Sequence, residues 1–269
     1  MYHTQFKITN GDANREFEKI VKKVMIKAMN DVEQLEIEKC DLNTNNIEFD
    51  NFEKLKYLKI NARERECVTF WLSKLNPEVA LEEFYFSTRQ NSLFEFKQID
   101  YPSVLNAGEM LLTRHVHITD EEFSKINIRK SCFRTDSLST KSLMEFVRKW
   151  VDGEMRDDFD QCQIRTQNDY RKEIEEALDS YHFDATPYNY GSFRIDNRVF
   201  FQNFERFGYD GKFWQISKRN DPFNSVSVLI TRNCFVVIRT GFPCIKNGRE
   251  DVKLVFPKDV LYCYYYINY

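Results

Sequence analysis

Glycine and proline are scarce in this 269-residue chain, at 8 and 6 residues, so no flexible linker stands out. Neither sign of charge dominates: 39 basic against 42 acidic residues leave a formal net charge of −3. That balance gives no support for a general nucleic-acid-binding or membrane-surface protein. No apolar run approaches the roughly 18 residues of a membrane helix. The N-terminus, "MYHTQFKITNGDANREF", lacks the apolar core of a secretory signal, and no Asn-X-Ser/Thr acceptor occurs. The seven cysteines (Cys40, Cys67, Cys132, Cys162, Cys234, Cys244 and Cys263) are odd in number and form no CxxC pair. They read as reduced thiols of a reducing compartment. Together these absences predict a cytoplasmic or nuclear protein.

The motifs of common chemistries are missing as well. There is no G-x-S-x-G elbow, no G-x-x-x-x-G-K or G-x-G-x-x-G phosphate loop and no HExxH. His115 and His117 form an H-x-H that would share one face of a strand, but His3 and His182 are the only other histidines. A metal pair needs a third ligand, so an ordinary edge strand is the preferred reading. The acidic "DGEMRDDFD" (152–160) lacks the ordered spacing of a calcium loop and reads as a solvated loop between helix and strand. Lys19, Lys22, Lys23 and Lys27 form a basic stripe interleaved with Glu16 and Glu18, which marks a water-facing side. The closing "YCYYYINY" reads as a strand with alternate rings packed inward. No catalytic, cofactor-binding or metal residue is assigned, no cofactor is expected, and the chain is expected not to be an enzyme.

What the chain has is aromatic mass: 24 Phe, 14 Tyr and 3 Trp make up 15% of it. Such side chains carry large burial energies. A chain of this length buries roughly three-quarters of its unfolded surface, so disorder is not expected.

The most ordered stretch is "SLSTKSLMEFVRKWVDGE" (137–154). Leu143, Phe146, Val147, Trp150 and Val151 recur with helical period. Ser139 or Thr140 suits the N-cap, and Gly153 suits the left-handed turn after the last residue. Further helices are predicted over 14–30, with Phe17, Ile20, Val21, Val24 and Ala28 inward, over 66–75 ahead of Pro77, and over 168–180 with Ile174, Ala177 and Leu178 inward.

Five segments share the pattern apolar-x-x-apolar-x-apolar: Val32/Leu35/Ile37, Leu55/Leu58/Ile60, Leu81/Phe84/Phe86, Phe123/Ile126/Ile128 and Phe159/Cys162/Ile164. Their central residues lie 23, 26, 42 and 36 positions apart. The first two spacings suit leucine-rich repeats, each adding one strand to a parallel sheet. From Tyr188 onward helical period stops. "GSFRIDNRVFF", Asp210-Gly211 within "FERFGYDGKFWQISKR", Arg232-Asn233 within "SVSVLITRNCFVVIRT", "VKLVFP" and "LYCYYYIN" read as strands and hairpin turns. The predicted architecture is α/β: an irregular leucine-rich-repeat-like strand–helix solenoid over 1–187, and an antiparallel β region or cap over 188–269.

The 138–153 segment resembles the signature of the nematode F-box-associated domain. Leu138, Ser139, Leu143, Phe146, Trp150 and Gly153 match; Met144 and Val147 depart from the usual Asn and Leu, and Glu154-Met155 stands where the family has Ser-Asn. "FWQISKRNDPFNSVSV" resembles the family's closing block through Ile216, Arg219 and Asp221, with Pro222 replacing a Gly. The resemblance covers about 110–240. It implies the target-binding part of an F-box substrate receptor of a cullin–RING ubiquitin ligase, acting as a non-enzymatic protein-interaction module. No F-box is recognisable, so binding of the ligase adaptor is expected only if one is present in the full gene product. The alternatives are an F-box-less scaffold or decoy with no ligase link, and an enzyme with an unrecognised site. The partner is an unknown target protein; neither nucleic acid nor membrane is expected.

Overall fold

The computed structural model describes residues 19, 31–40, 50–62, 65–88, 94–180, 185–188, 212–219 and 221–241. The fold is mixed α/β. The first strands are β1 (Gln34–Cys40), β2 (Tyr57–Ala62), β3 (Glu83–Thr88), β4 (Phe94–Glu95), β5 (Glu109–His117), β6 (Lys130–Arg134) and β7 (Gln161–Arg165). All are parallel. Apart from β4, which pairs only with β5, they are hydrogen-bonded in chain order. Between or after them lie α1 (Arg65–Leu72), α2 (Pro102–Leu105), α3 (Asp120–Ser124), α4 (Thr140–Val151) and α5 (Arg171–Ser180). Then β8 (Ala185–Tyr188), β9 (Lys212–Lys218), β10 (Asp221–Thr231) and β11 (Cys234–Gly241) continue the same sheet antiparallel, with β11 against β7. The sheet has 11 strands.

The apolar pattern forms rungs. Leu35, Leu58, Phe84, Met110, Ser131 and Cys162 pair across six strands, and Ile37, Ile60 and Phe86 pair beside them. From Leu58 onward these side chains are buried toward the helices, as are Phe133 and Ile164. Two units of the pattern are Ala107/Met110/Leu112 and Ile128/Ser131/Phe133, all buried. With them, the central residues are spaced 23, 26, 26, 21 and 31 apart.

The predicted strand unit Phe123/Ile126/Ile128 is corrected. Phe123 lies on α3 and the strand begins at Lys130. The cause is local: Thr119 and Glu122 form a complete capping box, and Asp120, Glu121 and Glu122 place three carboxylates at the positive helix end. β5 is also not the edge strand predicted for His115 and His117; it lies between β3 and β6. Gly108 lets it in, since a Cβ there would stand 2.6 Å from the Glu82 carbonyl oxygen. The predicted turn at Arg232-Asn233 joins β10 to β11, with Thr231 facing Cys234. The reduced-thiol expectation fails for Cys67 and Cys132, which are disulfide-bonded; cysteine spacing in sequence carries no record of spatial neighbours. Cys162 and Cys234 are free and buried.

The helix predicted over 14–30 lies outside the described residues except for Lys19, which is helical and exposed. The Asp210-Gly211 turn, the strands predicted at 191–201 and 252–269, and the remaining lysines of the basic stripe also lie outside them.

Candidate interaction surface

The signature segment is structural. Ser139 caps α4 by accepting from Ser142 N at 3.1 Å, and is itself held by Asp120, whose two carboxylate oxygens accept from Ser139 N (3.0 Å) and Oγ (2.6 Å). Leu143, Phe146, Val147, Trp150 and Val151 are all buried, Trp150 at 4% exposure. The Phe146 ring stacks on Phe123 (5.2 Å) and meets Phe159 edge-on (5.8 Å), binding α3 and the loop before β7 to the helix. At the far end Gly153 adopts φ 77°, Gly153 N donates to Trp150 O, and Glu154 N donates to Lys149 O. That is a Schellman closure, which needs a left-handed residue after the cap.

The acidic loop that follows α4 is neutralised by its neighbours. Arg148 binds Glu145, Asp152 and Glu154 at once, Arg156 binds Asp158, and Lys218 lies 3.6 Å from Asp157. Among the described residues no group of three or more His, Cys, Asp or Glu is placed to hold a metal ion. No described helix is long and apolar enough to cross a membrane.

His115 faces Asp136 rather than a second histidine, with Nε2 2.7 Å from the carboxylate. The other oxygen of Asp136 accepts from Thr166 Oγ1 (3.0 Å) and Gln167 N, while Asn168 Nδ2 donates to Asp136 O. His115, Asp136 and Gln167 each stand three residues after the second apolar residue of their strand, Leu112, Phe133 and Ile164. This is where leucine-rich repeats carry an Asn or Cys. Bonds to the carboxylate outweigh its burial and hold Asp136 below the usual carboxylate range. The arrangement ties the ends of β5, β6 and β7 together. Sequence reading missed it because three different side chains fill equivalent positions.

The sheet face turned away from the helices changes half-way along. In one cross-strand row, Glu36, Lys59, Tyr85 and Leu111 are exposed or half-buried, whereas Cys132, Gln163, Val236 and Leu229, which continue it, are buried. In the neighbouring row Tyr57 is half-buried and Glu83 exposed, followed by Glu109 and the buried Lys130. Lys130 and Arg129 both pair with Glu109, at 3.0 and 2.8 Å. The open half therefore presents two tyrosines and a leucine among charges.

No family model matches the chain, and no solved structure matches it. It is similar to an uncharacterized F-box protein of Caenorhabditis elegans, 22% identical over 209 residues. The match covers 76% of this chain and 52% of that protein, so the chain spans about half the length of its relative. A similarity spread over three-quarters of the chain is consistent with the nematode F-box-associated family that α4 and the β9–β10 segment resemble.

Proposed function

We propose that the chain is a non-enzymatic protein-interaction module, comparable to the target-binding part of an F-box substrate receptor of a cullin–RING ubiquitin ligase. The similarity to an F-box protein over 76% of the chain is the observation that carries this reading. In this reading the parallel strands form a leucine-rich-repeat-like solenoid, and the antiparallel strands β8 to β11 are the cap at its end. Recognition rests on a few aromatic and charged anchors on a broad strand surface. A ligase-linked role places the protein in the cytoplasm or nucleus, and adaptor binding requires an F-box in the full gene product.

The test is co-purification of the full chain from its native organism, followed by mass spectrometry. Reproducible recovery of a specific protein is expected; recovery of none contradicts the reading. A second reading is a scaffold or decoy with no ligase link. A pull-down of the full gene product with the ligase adaptor separates the two: binding supports the receptor, and its absence supports the decoy.

A further inference from the structure

Cys132 carries a disulfide, and the fold leaves few cysteines able to complete it. Cys162 and Cys234 are free. Cys40 belongs to β1, four strands from β6 and so roughly 19 Å away at the usual strand spacing. A disulfide holds its two Cα atoms within about 7 Å. Cys67 sits on α1, in the core beneath the helices. Cys132 points from the opposite face, in one row with Lys59, Tyr85 and Leu111. Cys244 and Cys263 remain, both beyond β11.

The same face carries a second buried layer. Cys132, Leu229, Cys234, Val236 and Ile238 are buried, yet none belongs to the core packed against the helices. An apolar sheet face stays dry only beneath a covering layer, and the described helices lie on the other side. Gln163, in register with Cys132, has a buried Oε1 with no hydrogen-bond donor among the described residues. A thiol at Cys132, about one strand spacing away, is a donor that the disulfide removes.

We propose that Cys132 is bonded to Cys244 or Cys263, and that this bond straps the segment 242–269 across the buried face of β6, β7, β11 and β10. The strap confines the open part of the face to β1, β2, β3 and β5. It is reducible. A dithiol attacks one sulfur, the S–S bond opens to two thiols, and the dithiol closes to its own disulfide. Glutathione disulfide reverses the step, taking two electrons from the two thiols as two protons leave. Reduction frees the segment, uncovers Leu229, Val236 and Ile238, and returns a donor to Gln163. The cross-link does not depend on the reading of the chain as an interaction module.

The test begins with the full chain equilibrated in reduced and oxidised glutathione. Free thiols are blocked with iodoacetamide, and the chain is digested without reduction and mapped by mass spectrometry. The Cys132 peptide should be joined to the one that holds Cys244 or Cys263. An alkylated Cys132, or one joined to Cys40 or Cys67, overturns the proposal. The strap is read separately in Cys132→Ser, which loses this bond alone. Without reductant, that variant should bind a hydrophobic dye at least about twofold more than wild type, with its far-UV circular dichroism unchanged. Dye binding at the wild-type level overturns the strap, whatever the peptide map shows. Should Cys132→Ser fail to fold, wild type titrated with a dithiol gives the same reading. Its dye binding should rise as Cys132 becomes alkylated, and alkylation with no such rise overturns the strap.

Discussion

Arg219 reaches Asp152, with Nη2 3.2 Å from Oδ1, and its backbone N–H donates to Val151 O at 3.0 Å. Beside this contact, Lys218 lies over Gly153, where an added Cβ would stand 3.4 Å from its Cε. The two segments that resemble the F-box-associated family, one around Trp150 and one around Ile216 and Arg219, thus meet in space. α4 is thereby fastened to the turn between β9 and β10, joining the helical layer to the antiparallel part of the sheet. The opening of β9–β10 and the close of α4 form one joint.

That joint depends more on backbone conformation than on charge. Arg219 is 62% exposed, so Arg219→Ala should lower stability by less than about 1 kcal/mol. Gly153→Ala must hold a left-handed residue, which costs about 1–2 kcal/mol. Urea unfolding of the two variants should rank them in that order.

Trp150 is the largest side chain on the buried stripe of α4. Trp150→Ala should destabilise by about 3–5 kcal/mol through lost burial and the cavity left behind. Ser139→Ala, which removes only the cap, should cost about 1 kcal/mol. Thermal melts of both variants check this; an unchanged midpoint for Trp150→Ala would place the indole at the surface.

Asp136 gives the protein an acid sensitivity of defined sign. Its carboxyl is held low in the fold, so its contribution is present above the ordinary carboxylate value near pH 4 and lost as pH falls through the folded value. Asp136→Asn should be less stable than wild type at neutral pH, and its stability should fall less steeply as pH drops below about 4. Unfolding midpoints across that range provide the check.

Cys162 and Cys234 are free, and burial pushes both thiols up to about 12. The thiolate that reacts with alkylating reagents is therefore almost absent at pH 8. Iodoacetamide should leave both unlabelled in the native protein and label both in denaturant, as read by peptide mass spectrometry. Labelling of native Cys162 would mean that the sheet opens between β7 and its neighbours.

Much of the architecture was legible because it is periodic or capped locally. α4 announced itself through its stripe, Ser139 and Gly153, and the β10–β11 hairpin through Arg232-Asn233. The apolar pattern shared by the parallel strands was legible only in part. Ala107 and Ser131 stand where the pattern calls for a large apolar side chain, so two units were passed over. Phe123, Ile126 and Ile128 mimicked a unit although a capping box had committed Phe123 to a helix. The polar ties at His115, Asp136 and Gln167 left no common residue type to find. Nor was the open patch visible, since only strand register brings Tyr57, Glu83 and Tyr85 onto adjacent positions of one face.

Cross-linking mass spectrometry on the co-purified complex tests the central claim most directly. Lys59 lies on the open strand face, while Lys141 and Lys172 lie on α4 and α5 on the helical side. Docking on the strands predicts partner cross-links at Lys59 with few or none at Lys141 and Lys172. Cross-links confined to Lys141 and Lys172 would contradict a strand surface built for holding another protein.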